Sequence, residues 1–225
     1  MKNKINYLAI IVFYAIAILC RYLTNKAGIL DGIGNEYLKS ILTGIGPTLG
    51  AVAVFFIFKI KPTMSIKGNY KNLTFPILMY WVFPIILISG VAYFTKGTIP
   101  WMIVLSILIY GLLEEIGWRG FLYQQLKELP LFTNILIVAT LWFLWHLNFE
   151  LTSSNLLFYG ILILGSWGIG KVTDATNSLI AVSAFHSLNN FFPNLDNTKI
   201  LILALLLTAW IIALVSRKRM QKNIG

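Results

Sequence analysis

Long runs of apolar residues, separated by short polar segments, extend along almost the whole chain. A helix needs about 20 mostly apolar residues to cross the hydrocarbon core of a membrane. The pattern predicts eight such spans, near 5–23, 40–58, 73–94, 99–113, 131–149, 155–170, 178–192 and 199–216. The alternation typical of strands is missing, and a helix satisfies its own backbone hydrogen bonds in lipid. The sequence therefore predicts an all-α, polytopic membrane bundle.

Composition supports this fold class and excludes others. Of the 225 residues, 58% are hydrophobic and 12% are charged, which is about half the charged fraction of a soluble domain. The net charge of +10 does not indicate nucleic-acid binding, because the bases lie between apolar runs instead of clustering. A single cysteine, Cys20, excludes a disulfide framework and a thiolate metal cluster. We expect one membrane-embedded domain over residues 1–225, with the lipid bilayer as its surroundings.

The basic residues predict the orientation of the bundle. With the N-terminus inside, thirteen lysines and arginines, Arg119 among them, fall in inner segments and five in outer ones. The outer bases are Arg21, Lys26, Lys39, Lys96 and Lys199. Since bases are enriched on the cytoplasmic side of a membrane, both termini are predicted to be cytoplasmic. A composition rich in lysine, asparagine and isoleucine indicates a prokaryotic chain, hence a multi-pass protein of the plasma membrane.

Three groups of polar residues interrupt the apolar segments. Ionisable residues at membrane depth are expensive to bury, so they are candidates for function. The first group, residues 114–119, directly follows an apolar run and reads Glu-Glu-Ile-Gly-Trp-Arg. The second is His146, and the third is residues 186–190, which read His-Ser-Leu-Asn-Asn. Both histidines of the chain belong to these groups.

Helical spacing predicts different roles for the two glutamates. Glu115 and Arg119 are four residues apart, so they share a helix face and can pair. Glu114 lies about 100° around the helix from its neighbour and is freer to act as a base. His186 and Asn190 are also four residues apart and can direct two hydrogen-bond donors to one point. A carboxylate with a histidine can activate water and a donor pair can stabilise an oxyanion, which indicates amide hydrolysis.

Each group taken alone has a simpler interpretation. A buried Glu–Arg pair can lock a helix, a histidine can be a packing residue, and asparagines can join helices. The aromatic segment 142–145 is typical of packing or of anchoring at the membrane interface. A serine or cysteine protease is not indicated, since no Gly-x-Ser-x-Gly motif occurs and Cys20 is far from both histidines. A transporter is disfavoured because the chain shows no repeated halves.

Together the three groups resemble the motifs of the CAAX-protease and bacteriocin-processing (Abi) family of intramembrane, glutamate-dependent proteases. The pattern of that family is Glu-Glu-x-x-x-Arg, then Phe-x-x-x-His, then His-x-x-x-Asn. Residues 114–119 fit the first motif and residues 186–190 fit the third. The second motif fits at His146, with Trp142 where phenylalanine is usual. The resemblance covers residues from about 105 to 192.

The resemblance implies an intramembrane endopeptidase whose substrate is a membrane-associated peptide or protein. It implies that Glu114 and His146 activate the hydrolytic water. It implies that His186 and Asn190 stabilise the oxyanion. No cofactor is expected. Zinc held by the same side chains is an alternative, disfavoured because no His-Glu-x-x-His motif occurs and the ligands would come from three helices.

The resemblance further implies that Arg119 holds Glu115 and shapes the site. A different class of function is also open, namely a non-catalytic membrane scaffold or a bacteriocin-immunity protein that keeps the fold. Nothing in the chain identifies a substrate sequence or an oligomeric state.

Overall fold

The chain folds as a bundle of helices in a computed structural model, which describes residues 5–68, 78–191, 197–198, 200–206, 208–209 and 212. The helices are α1 (Tyr7–Asn25), α2 (Glu36–Thr43), α3 (Ile45–Ile57), α4 (Phe83–Lys96), α5 (Trp101–Gly117), α6 (Leu131–Trp145), α7 (Ser153–Thr176) and α8 (Leu179–Phe191). Two π-helical turns, Leu78–Val82 and Trp118–Tyr123, precede α4 and follow α5. The prediction of an all-α fold is confirmed.

Within the described ranges, three helical segments are long and apolar enough to cross a membrane: Tyr7–Asn25, Trp101–Tyr123 and Ser153–Thr176. The pair α2 and α3, bent by 45° at Gly44, would make a fourth span, while α4 and α6 are apolar but shorter. These helices support a multi-pass integral membrane protein. The count of eight spans and the orientation stay predictions, and the last predicted span, 199–216, lies partly outside the described residues.

Two predicted boundaries near the polar groups are wrong. The span predicted to end at 113 continues through α5 and its π-helical turn to Tyr123, so Glu114 and Glu115 lie inside a helix. The span predicted to end at 149 stops at Trp145, with His146 as the C-terminal cap. Leu147 has a φ of 56°, a left-handed conformation that ends the helix. The count of apolar residues gave the wrong ends for two reasons. Buried polar partners allow α5 to continue past its apolar run, and the left-handed turn at Leu147 ends α6 before its apolar run is complete.

Two of the arginines counted as loop bases, Arg21 and Arg119, are buried in the bundle, which corrects the topology count. Arg21 lies in α1 and is 9% exposed, and Arg119 lies in the π-helical turn after α5 and is 0% exposed. A base with polar partners inside the protein does not act as a topology signal. Without these two, twelve inner bases remain against four outer ones, so the asymmetry persists.

Small residues bring α1 and α3 into close contact. A Cβ atom at Gly46 would lie 2.7 Å from the carbonyl oxygen of Ala17, and one at Gly50 would lie 2.6 Å from that of Phe13. Glycines spaced by four residues allow two backbones to approach in this way. The contact holds the end of α1 beside the break between α2 and α3.

A second close contact joins α5 to α8 and positions the site. The Ser183 hydroxyl donates to the carbonyl oxygen of Leu108 at 3.1 Å. A Cβ atom at Gly111 would lie 2.7 Å from Oγ of Ser187. Because His186 directly precedes Ser187, this packing places the ring of His186 beside the two glutamates of α5.

Candidate active site

The polar groups on α5 and α8 form one buried cluster. Glu114, Glu115, Arg119 and His186 are 1%, 0%, 0% and 2% exposed, respectively. Charged side chains out of contact with water require partners that replace their hydration. The contacts of each group therefore define what it can do.

Glu115 is held on two sides. Its Oε1 accepts a hydrogen bond from Nη1 of Arg119 at 2.8 Å and one from Nδ1 of His186 at 2.6 Å. Arg119 also donates from Nη2 to the Ser166 hydroxyl at 3.2 Å, and its guanidinium lies over the ring of Trp142 at 4.7 Å. The spacing predicted the Glu115–Arg119 pair, and α7 and α8 complete it. Glu115 thus anchors three helices together.

The contact with Glu115 determines how His186 can act. A carboxylate oxygen only accepts, so Nδ1 of His186 carries the proton of that bond. The other ring nitrogen, Nε2, lies 4.0 Å from Oε2 of Glu114. Nε2 can donate a hydrogen bond only when it carries a proton as well. His186 is thereby oriented to present Nε2 toward Glu114.

Two indoles orient Glu114. Its Oε2 accepts from Nε1 of Trp142 at 2.8 Å and from Nε1 of Trp118 at 3.2 Å. The Trp118 ring is itself packed edge-on against Phe13 and Trp145 at 5.6 and 5.9 Å. An indole N–H donates but does not accept a proton. The carboxylate therefore has a defined orientation and stays available as a base.

The end of α6 gives His146 its orientation. The backbone N–H of His146 bonds to the carbonyl of Phe143 at 3.0 Å. The carbonyl of Trp142, four residues before His146, instead accepts from Nδ1 of the His146 ring at 2.8 Å. Because Nδ1 carries the proton of that bond, Nε2 of a neutral ring has the free lone pair. His146 is thus prepared to accept a proton or a hydrogen bond at Nε2.

All four residues predicted to be catalytic line one small cavity of about 50 Å³. Its lining includes Glu114, His146, His186 and Asn190. Nδ2 of Asn190 is buried and lacks a hydrogen-bond partner in the described part of the chain. A buried donor without an acceptor is costly, which indicates that a ligand or water occupies the place opposite it. The structure brings these residues together, whereas their roles remain proposals.

A wider cleft adjoins this cavity. It measures about 340 Å³, and Tyr110 and Asn190 line both spaces. The small cavity has room for water, which needs roughly 10–15 Å³ per molecule, but not for a peptide. A larger cavity of about 500 Å³, lined in part by Lys61 and Lys127, shares no lining residue with either. Of these two larger spaces, the cleft is therefore the one that adjoins the four residues.

The donor set does not fit a zinc site. In the ranges that the structure describes, no group of three or more His, Cys, Asp and Glu side chains is arranged to hold a metal ion. Asparagine is a poor zinc ligand beside histidine or carboxylate. No step of the mechanism is therefore assigned to a metal.

Sequence reasoning missed Tyr110 and the hydrogen bonds that the indoles of Trp118 and Trp142 donate to Glu114. Trp142 was interpreted as a packing residue or as an anchor at the membrane interface. The interpretation as an anchor is wrong, because Trp142 is buried and donates a hydrogen bond to Glu114. Trp118 carried a usable signal, since it follows Glu114 by four residues. Tyr110 precedes Glu114 by four residues and lies on the same face. Spacing could have found these two, but not Trp142, which comes from another helix.

Comparison with known proteins identifies a family for the segment that contains all three motifs. Residues 96–192 match the family described as Rce1-like, type II CAAX prenyl endopeptidase. No curated protein and no solved structure gave a match. The family match confirms the resemblance to CAAX proteases that the motifs predicted.

Proposed function

We propose that this chain, whose residues 96–192 match the Rce1-like CAAX endopeptidases, is an intramembrane endopeptidase that hydrolyses a peptide bond of a membrane-associated peptide or protein. The family supports a membrane protease in general. The observation that carries the specific proposal is the buried cavity shared by Glu114, His146, His186 and Asn190. Within it, Asn190 presents a donor that has no acceptor among the described residues.

In this mechanism Glu114 is the general base and a water in the cavity is the nucleophile. Nε2 of His146 accepts a hydrogen bond from the water and directs its lone pair to the scissile carbonyl. Glu114 takes the proton as the new C–O bond forms, and then gives that proton to the leaving nitrogen as the C–N bond breaks. Such positioned proton transfer contributes about 10²- to 10⁴-fold to a rate.

Asn190 and His186 stabilise the negative charge that develops on the carbonyl oxygen. Nδ2 of Asn190 supplies one donor, and Nε2 of the His186 imidazolium supplies the other. Glu115 holds the ring in place through Nδ1 at 2.6 Å. Donors that are already oriented before the reaction stabilise a developing oxyanion without a reorganisation cost.

Replacing Asn190 by alanine tests the proposal. We expect the variant to lose about 10²- to 10³-fold in kcat, the usual effect of removing one oxyanion donor. The fold should survive, because Nδ2 of Asn190 makes no hydrogen bond in the described part of the protein. Comparative peptidomics of membranes with wild type and Asn190→Ala should reveal peptides produced only by the wild type. The kcat is then measured on the peptide so identified.

The same experiment separates the alternatives. If no peptide differs between wild type and variant membranes, the endopeptidase proposal is wrong and a scaffold role gains support. A chelator added to wild-type membranes should leave product formation unchanged. Loss of product with the chelator, and its return with zinc, would contradict the metal-free mechanism.

Replacing Trp142 by phenylalanine, the residue usual in the family, should lower kcat about tenfold. The variant removes the 2.8 Å hydrogen bond to Oε2 of Glu114, and a hydrogen bond to a charged group contributes about 1.5–3 kcal/mol. Trp167→Phe is the matched control, because Trp167 lies on α7, is 52% exposed and lines neither the cavity nor the cleft. We expect the control to leave kcat unchanged. Equal kcat values for the two variants would remove the orienting role of Trp142.

A further inference from the structure

Arg21 is a buried cation that has no carboxylate partner within the described part of the chain. It lies in the apolar helix α1 and is 9% exposed. Nη1 donates to the carbonyl oxygen of Thr43 at 3.1 Å, and the guanidinium lies over the Trp145 ring at 4.2 Å. Nε is buried and has no acceptor. Tyr110 links Arg21 to Glu114, but no carboxylate of the described residues contacts the guanidinium directly. A carboxylate that enters from outside the protein would therefore give Arg21 a direct ionic partner.

The position of Arg21 connects it to the proposed reaction. It lines the cleft of about 340 Å³ that adjoins the cavity of the four predicted catalytic residues. Asn190 belongs to the lining of both spaces, and Tyr110 interacts electrostatically with both Arg21 and Glu114. Trp145, the ring beneath the guanidinium, directly precedes His146. One peptide could thus contact Arg21 with one of its groups and place its scissile carbonyl opposite Asn190.

We propose that Arg21 binds a carboxylate of the peptide substrate and makes the enzyme selective for peptides that carry one near the scissile bond. This inference rests on the proposed endopeptidase function. A guanidinium presents its N–H donors in a plane that matches a carboxylate, and the pair gains strength away from water. The carboxylate comes either from the C-terminus of the peptide or from an aspartate or glutamate side chain.

A peptide is favoured as the ligand by the cleft itself. Besides Arg21, polar groups of Asn25, Ser40 and Thr43 belong to its lining. Such groups can bond the backbone of an extended peptide, which carries one donor and one acceptor per residue. The shared residue Asn190 then places the next peptide unit in the catalytic cavity. Binding neutralises Arg21, so a substrate with a carboxylate gains affinity that a neutral peptide lacks.

The test compares peptides and variants in proteoliposomes made from a lipid without net charge. The probe is the peptide identified by comparative peptidomics, in its native form, with a C-terminal amide, and with each acidic side chain changed to its amide. On the wild type, one neutralised form should show a KM increased roughly 10- to 100-fold. If the C-terminal amide has this effect, the ligand is the α-carboxylate, and if a side-chain amide has it, the ligand is that residue.

Arg21→Gln should raise KM for the native peptide by the same factor and have no further effect on the neutralised peptide. Arg21→Lys keeps the charge without the planar donors and should lie between wild type and Arg21→Gln. If Arg21→Gln does not fold, the comparison of native and neutralised peptides on the wild type still shows whether the enzyme selects for a carboxylate. The proposal is overturned if the wild type cleaves all forms equally, or if Arg21→Gln impairs native and neutralised peptides to the same extent.

Two further results distinguish the possible failures. If anionic lipid competes with the native peptide in wild type but not in Arg21→Gln, and neutralising the peptide has no effect, the ligand is a lipid phosphate and the proposal is wrong. In each of these cases the wild type still cleaves peptide, so the proposed function stands. Absence of cleavage by the wild type would instead overturn the proposed function itself.

Discussion

Glu114→Gln will lower kcat by at least about 10²-fold while the protein remains folded in the membrane. Glutamine has nearly the same shape, and its carbonyl oxygen can still accept from the indoles of Trp142 and Trp118, which now donate to Oε2 at 2.8 and 3.2 Å. It cannot take a proton from water at neutral pH. The variant therefore removes the proposed base and keeps its surroundings.

The measurement is the rate of peptide cleavage in proteoliposomes, together with the thermal unfolding of both proteins in the same detergent. Glu150→Gln is the matched control, because that glutamate is exposed and lies outside the cavity. The control should cleave at the rate of the wild type. A folded Glu114→Gln variant with undiminished kcat would refute the glutamate-dependent mechanism. Full biological effect of that variant in cells would favour the scaffold alternative.

Arg119→Met will lower the free energy of unfolding by about 3–5 kcal/mol, the usual effect of breaking a buried ion pair from one side. Glu115 is 0% exposed and would lose the 2.8 Å bond to Nη1. The Ser166 hydroxyl, 3.2 Å from Nη2, would lose its charged donor as well. Methionine fills much of the volume but replaces neither interaction. The variant should therefore fold poorly and lose activity with its structure.

Reversible unfolding in detergent measures this effect, with Lys171→Met as the control. Lys171 is an exposed base on α7, so its removal should change stability by less than about 0.5 kcal/mol. The double variant Glu115→Gln/Arg119→Met removes both charges of the pair. It should be less destabilised than the sum of the single variants, because neither partner is left as an unpaired buried charge. Additive effects, or a stable Arg119→Met variant, would show that the pair does not support the fold.

The resemblance to CAAX proteases and the all-helical fold could be predicted because both depend on local patterns. Apolar runs of membrane length indicate helices, and the pair Glu115–Arg119 follows from a spacing of four residues within one helix. The same local reasoning misplaced Arg21 and Arg119, since it assigns bases to loops. It also interpreted Trp142 as packing, because its hydrogen-bond partner, Glu114, lies on α5 and a pattern within α6 does not reveal it.

The sequence by itself determined which residues are polar at membrane depth and in what order they occur, because burial in lipid makes every such residue expensive. It also determined the helical type of the segments, since only internal hydrogen bonds satisfy a backbone in the membrane. The tertiary structure alone decided that Trp142 of α6 and Asn190 of α8 line the small cavity, and that Arg21 of α1 and Asn190 line the adjoining cleft. These residues are far apart in the chain, and close packing at glycines and serines brings their helices together. Their chemistry depends on distances between helices, and helix–helix packing sets those distances.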